Sequence, residues 1–244
     1  MSLHKDINSF FSPPQLKSVG PKLVPFFKTV AIFFVLFGNG SSLSSIFYCI
    51  IKCLPIVSLM IFVLLHGMNF SEAYAYSRKV LLGLIFSCIG DAFLVWKHSV
   101  YFMCGIVMFA LAQLMYTSAF GLKPFNPYAG TVCAALAVAM YTYMLPGMTG
   151  AMVYLGAAYC VLIFTMVWRA VARVQFFDDL WTWTKLCSCM GAICFVVSDV
   201  VISINKFCFP VPHSHIAIMS TYYAAQLGIA LSVVDSQVLH KKTE

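Results

Sequence analysis

Charge is what this sequence has least of: 9% of its 244 residues are Asp, Glu, Lys or Arg, and only 8 are acidic. An ordinary soluble domain carries about a quarter. So little charge excludes a water-soluble fold. The chain also lacks the alternation of apolar and polar residues over ~10-residue strands that an outer-membrane barrel requires. It has no G-x-S-x-G elbow, no H-E-x-x-H and no His-rich cluster, so nothing points to covalent catalysis or a zinc hydrolase. Ten cysteines fall almost wholly inside apolar runs, and Cys187 with Cys189 lacks a second ligand pair at metal-site spacing. They read as small packing residues, and neither metal nor cofactor is expected. The 15 basic residues give a net charge of +7 but are scattered singly or in pairs, without the stripe and stacking aromatics of a nucleic-acid binder.

What remains is 61% hydrophobic, with a mean hydropathy of +0.90. Eight apolar segments follow one another at about 22–38, 45–66, 77–96, 99–119, 128–145, 149–169, 183–204 and 215–235. Each is apolar on all faces and near the ~20 residues that cross a bilayer. This predicts an all-α polytopic transmembrane bundle of eight spans over 22–235, with a polar N-terminal tail over 1–21 and a short C-terminal tail over 236–244. The first 21 residues, with Pro13 and Pro14, lack an early apolar core and a small-residue cleavage site, so no cleaved signal peptide is expected. Short links such as Gly38-Asn39-Gly40, Lys123-Pro124-Phe125-Asn126-Pro127 and Pro210-Val211-Pro212 carry turn chemistry and predict antiparallel neighbours. Lys5, Lys17, Lys22, Arg78, Lys79, Lys123, Arg169, Arg173, Lys185, Lys241 and Lys242 gather on the tail-bearing rim, against Lys97 and Lys206 on the other. The positive-inside bias therefore predicts that both termini are cytosolic. The last residues, Lys241-Lys242-Thr243-Glu244, resemble a dilysine retrieval signal and suggest the endoplasmic reticulum membrane.

Six of the acidic residues, Asp6, Glu72, Asp178, Asp179, Asp235 and Glu244, lie in tails, loops or a helix end; only Asp91 and Asp199 are embedded in apolar helix. At mid-bilayer each charge costs at least ~2.5 to 3.5 kcal/mol, so the two require a reason. Both lie ~8 Å of helix rise from the non-cytosolic rim, on spans three and seven, close enough in depth to face one another. Asp199, Ser203 and Lys206 share an i, i+4, i+7 stripe, and Gly83, Ser87 and Asp91 form another of small and polar residues. Lys52, Tyr222, Tyr223 and Gln226 reach comparable depth from the same rim, and together these residues predict one polar pocket in that half of the bundle. Lys52 is read either as a member of it or as a snorkelling side chain. Gln113 and Tyr116 read as packing, and Pro55 as a bend in span two.

Two neighbouring carboxyl groups in an apolar interior tend to hold one proton between them. That serves either a proton relay in a transporter or general acid-base catalysis. The stretches Lys52-Cys53-Leu54-Pro55, Gly90-Asp91-Ala92-Phe93-Leu94, Tyr116-Thr117-Ser118-Ala119-Phe120-Gly121, Ser198-Asp199 with Asn205-Lys206-Phe207, and Tyr222-Tyr223-Ala224-Ala225-Gln226, in this order, resemble the YhhN-like family of eight-span membrane proteins, in particular its animal lysoplasmalogenases. The likeness runs from about Gly20 to Asp235. It departs in span four, where this chain has Gln113 and the family pattern often has His.

The resemblance implies a hydrolase acting on lysoplasmalogens in the bilayer, without a cofactor. It would cleave the sn-1 vinyl ether to a fatty aldehyde and glycerophosphoethanolamine or glycerophosphocholine. Vinyl ether hydrolysis needs a proton delivered to carbon and a negative charge beside the resulting oxocarbenium ion, as in glycosidases. One of Asp91 and Asp199 would donate the proton and the other stabilise the cation and orient water. Lys52, Asn205 and Lys206 would hold the phosphate, Tyr222, Tyr223 and Gln226 the glycerol hydroxyls or the water, and the fatty chain would lie among aromatic and Met-rich helices. The alternative is a proton-coupled transporter of lipid or small molecules using the same two aspartates, although no internal repeat marks one.

Overall fold

Away from water, backbone amides must bond within their own segment, so a chain this apolar has helices as its only economical form. The computed structural model describes residues 13–38, 45–66, 74–96, 98–175 and 182–234. Among them are eight α-helices: α1 (Pro13–Phe37), α2 (Ile46–Leu65), α3 (Ala75–Phe93), α4 (Ser99–Phe120), α5 (Pro127–Met144), α6 (Ala151–Val174), α7 (Trp183–Phe207) and α8 (Ser214–Leu231). One 3-10 turn, Leu145–Gly147, follows α5, and the described residues contain no strand. Residues 1–12 of the N-terminal tail, the C-terminal tail with its dilysine end, Asn39, Gly40 and Lys97 lie outside the described residues.

Six helices, α1 from Val19 onward, α2, α4, α5 with its 3-10 turn, α6 and α7, are long and apolar enough to cross a membrane. The protein is a polytopic helical membrane protein. The other two helices are less apolar along their length: α3 has Arg78, Lys79 and Asp91, and α8 has Tyr222, Tyr223 and Gln226. α1 begins at Pro13, inside the stretch whose polarity reads as a tail. Polarity ends a membrane span but not a helix, and proline is tolerated in a first turn, where its missing N–H has no partner to lose.

Ser45, Asn126 and Thr182 start their helices by accepting backbone N–H groups at Tyr48, Ala129 and Lys185. The helices alternate in direction. At one end of the bundle Lys22 at the start of α1 donates to Leu65 O at the end of α2, Lys79 in α3 to Ser118 O in α4, and Tyr76 bonds Ser232 after α8. At this end too, Arg169 departs from its expected place on a charged rim: its side chain is 1% exposed, and it donates to Gly121 O at 2.6 Å and Pro124 O at 2.9 Å. The guanidinium clamps the α4–α5 link, where Gly121 turns at φ +78° and leaves carbonyls that no helix satisfies.

Between helices, small residues set the spacing. A Cβ at Gly228 would lie 2.7 Å from Cys187 O and 3.0 Å from the Gly191 Cα, and one at Gly191 would lie 2.8 Å from Ala225 O. α7 and α8 thus touch backbone to backbone, the contact that substitutes in lipid for hydrophobic association. The closeness aligns Asp199 on α7 with the tyrosines of α8 in one half of the bundle. Gly228→Val is expected to lower stability by about 1–3 kcal/mol through overpacking, whereas Met190→Leu, on the half-exposed outer face of α7, leaves the melting temperature in detergent unchanged.

Candidate functional site

α3 turns Gly83, Ser87, Gly90 and Asp91 toward its neighbours because these residues are small enough, or polar enough, to be excluded from lipid. Asp91 is 2% exposed, and Lys52 on α2 places its ammonium 3.1 Å from Asp91 Oδ1 and 3.2 Å from the Asp91 carbonyl. Lys52 therefore does not snorkel to the rim. Tyr222 on α8 donates to Asp91 Oδ2 at 2.5 Å, and Tyr223 donates to Lys52 O at 2.9 Å. Beneath them, Tyr116 on α4 donates to Gln226 Oε1 at 2.8 Å and lies 3.4 Å from Ser87 Oγ. Gly83 admits the Tyr116 ring, since a Cβ there would stand 2.2 Å from it. On the far side Phe33 of α1 packs edge-on against Tyr223 and stacks on His215, which bonds the Tyr48 hydroxyl. The cluster ties four helices, α2, α3, α4 and α8, through groups that are all buried.

Asp199 has a different setting. It is half-buried on α7 and lines a cleft among α4, α5, α6 and α7. The Tyr159 hydroxyl of α6 donates to its Oδ2, and no ion pair reaches it among the described residues. Met140, Met144, Met148 and Met152 form one wall, Phe102, Ile106 and Phe109 of α4 another, and Ser203 adds a hydroxyl one turn from Asp199. At the mouth the Lys206 ammonium sits 4.4 Å from the Phe102 ring centroid, a cation-π contact. An apolar lining with a few polar groups set into it is the chemistry of a small-molecule site.

The two aspartates therefore occupy the same half of the bundle without a hydrogen bond between them. A layer of rings separates their surroundings: Phe109, Phe195 and Tyr222 meet edge to face at centroid distances of 5.7 to 6.1 Å. In place of the single pocket expected, there is a closed ion-pair cluster and an open cleft. The physical reason is adjacency: α3 lies beside α2 and turns Asp91 to the nearest cation, while α7 turns Asp199 toward α6. Lys52, Tyr222, Tyr223 and Gln226 belong to the closed cluster, and Lys206 to the cleft mouth. Asn205 joins neither, its Oδ1 accepting from Val211 N in the loop after α7. Sequence reasoning missed Tyr159, which holds Asp199, and read Tyr116 and Gln113 as packing. The signal for Tyr159 is its place on one face with Gly156, Cys160 and Ile163, all cleft-lining. Among the described residues no group of three His, Cys, Asp or Glu stands ready for a metal ion.

The model of the YhhN family matches residues 47–233. The chain is 46% identical over 222 residues to lysoplasmalogenase TMEM86A of Bos taurus, covering 91% of this chain and 92% of that one, and equally so to lysoplasmalogenase TMEM86A of Homo sapiens. It is 35% identical to lysoplasmalogenase TMEM86B of Sus scrofa over 94% of this chain and 93% of that one. No solved structure matches.

Removing one partner of the buried pair strands the other charge. Lys52→Met and Asp91→Asn are each expected to destabilise the protein by about 3–5 kcal/mol, and the double variant Lys52→Met with Asp91→Asn to lose much less than the sum. Melting of the purified variants in one detergent measures all three.

Proposed function

The chain belongs to the YhhN family, and from that premise we propose that it is a lysoplasmalogenase, hydrolysing the sn-1 vinyl ether of a lysoplasmalogen to a fatty aldehyde and glycerophosphoethanolamine or glycerophosphocholine. The observation that carries the reading is Asp199, a carboxyl group with no cationic partner among the described residues, opening on a cleft lined mainly by Met, Phe, Ile and Val.

The chemistry asks three things of the site. A proton must pass to the vinyl carbon distal to oxygen, the oxocarbenium ion must be stabilised, and water must reach it. Asp199 supplies the first as the protonated acid. The carboxylate left behind then lies against the cation it has created, where the apolar walls strengthen the attraction. It finally takes a proton from the attacking water, restoring itself as the hemiacetal forms. Collapse of the hemiacetal, with its hydroxyl proton passing to the glycerol oxygen, releases aldehyde and alcohol. One carboxyl group so serves in turn as acid, counter-ion and base.

Asp91, paired with Lys52, contributes no net charge to that cation. Its role in this reading is positioning: with Lys52 it holds Tyr222 against Phe109, the ring that closes one side of the cleft. The phosphate meets Lys206, seven residues from Asp199 and therefore ~10 Å along the helix. The glycerol backbone spans that separation when extended, and the Met wall receives the chain. The bias of basic residues supports placing the end of the bundle with Lys22, Lys79 and Arg173 in the cytosol, which turns the cleft toward the opposite leaflet.

Purified protein in micelles is expected to release aldehyde from a lysoplasmalogen, and Asp199→Asn to lose at least about 100-fold of that rate, the scale of a lost general acid, while melting as wild type does. Near-full activity in a folded Asp199→Asn overturns the acid assignment. Proton or lipid flux in liposomes without aldehyde release favours the transport alternative.

A further inference from the structure

Among the described residues, Gln113 alone leaves both polar atoms of a buried side chain without a partner. It is fully buried on α4, yet neither its Nε2 nor its Oε1 has a hydrogen-bond partner among the described residues. An amide so placed is costly and is ordinarily met by ordered water or a ligand. Its position says which. On α4 it lies one turn below Phe109, a cleft-lining ring, and three residues before Tyr116 of the polar cluster. It stands beside the Tyr159 hydroxyl that holds Asp199. Gln226, the Tyr116 partner, likewise leaves its Nε2 without a protein acceptor.

We propose that the Gln113 side chain binds and orients the water molecule that captures the oxocarbenium ion at Asp199. This rests on the lysoplasmalogenase reading and adds a residue to it. An amide suits the task because it both donates and accepts. Its Oε1 takes one hydrogen of the water, leaving the second hydrogen for Asp199 Oδ1, which has no hydrogen bond among the described residues, and a lone pair for the cation. As the C–O bond forms, the water's proton passes to the Asp199 carboxylate, so vinyl ether and one water become a hemiacetal and the acid is regenerated. Gln113 itself neither gains nor loses a proton. It is a positioning residue, and an apolar cleft needs one because bulk water does not fill it.

The test exploits competition for the cation. In water containing methanol, capture by methanol yields a stable mixed acetal in place of aldehyde. Wild type, with its water held, is expected to give mostly aldehyde. Gln113→Met, which keeps the volume and removes the amide, is expected to raise the acetal-to-aldehyde ratio about tenfold, the weight of one lost hydrogen bond, and Gln113→His to restore much of the preference. A purely structural role slows both products alike, so an unchanged ratio in a folded Gln113→Met overturns the proposal. An experimental map of the wild type gives a readout independent of turnover. Water within hydrogen-bond distance of Gln113 supports the site even if no vinyl ether is cleaved, in which case the enzymatic reading alone fails. A Gln113 amide fully satisfied by protein groups overturns the proposal whatever the activity.

Discussion

An ion pair shut inside a membrane bundle is the constraint around which this architecture is arranged. Lys52 and Asp91 lose their hydration almost completely, and their mutual attraction offsets that loss only if the remaining donors and acceptors are met. The surroundings meet them: Tyr222 takes the second carboxylate oxygen, the Asp91 carbonyl takes an ammonium hydrogen, and Tyr223 closes the Lys52 carbonyl. Lys52, Asp91 and the two tyrosines come from three helices, so satisfying one pair fixes how α2, α3 and α8 stand. The glycines of α3 follow from the same demand, since large side chains there would keep Tyr116 and Phe109 from closing over the cluster.

A pair so completely satisfied has little left to give to chemistry. Asp199 is the reverse case: one phenol holds it, apolar walls surround it, and it stays in reach of a ligand. Two aspartates alike in residue type and depth thus divide into one that organises helices and one that meets the cleft. The ring layer of Phe109, Phe195 and Tyr222 lets the first bear on the second by packing.

Much of this was legible beforehand. Eight apolar segments became eight helices, and the stripe Asp199, Ser203, Lys206 does run along the cleft to its mouth. The stripe Gly83, Ser87, Asp91 does face Tyr116 and the bundle interior. Periodicity reveals which face of a helix turns inward but not which neighbour it meets, so the partners of Asp91 and Asp199 were beyond it. Tyr159 escaped because one hydroxyl in a Met-rich and aromatic helix looks the same whether it touches lipid or a carboxylate. Arg169 was read as a rim charge because nothing in its local sequence shows that the α4–α5 link would curl back over it. Asn205 was drawn into the site by its neighbour Lys206, although i and i+1 residues point to different sides of a helix.

The Met140, Met144, Met148 and Met152 wall has a consequence for how selective the cleft is. Thioether side chains are unbranched and turn about three bonds at small cost, so their outline follows whatever presses on them. A rigid wall of Ile and Val would grade chains by shape. In the reaction proposed above, this one would take straight and kinked tails of several lengths nearly alike and leave discrimination to the polar end, where only a carbon activated by an adjacent enol oxygen would answer to the acid.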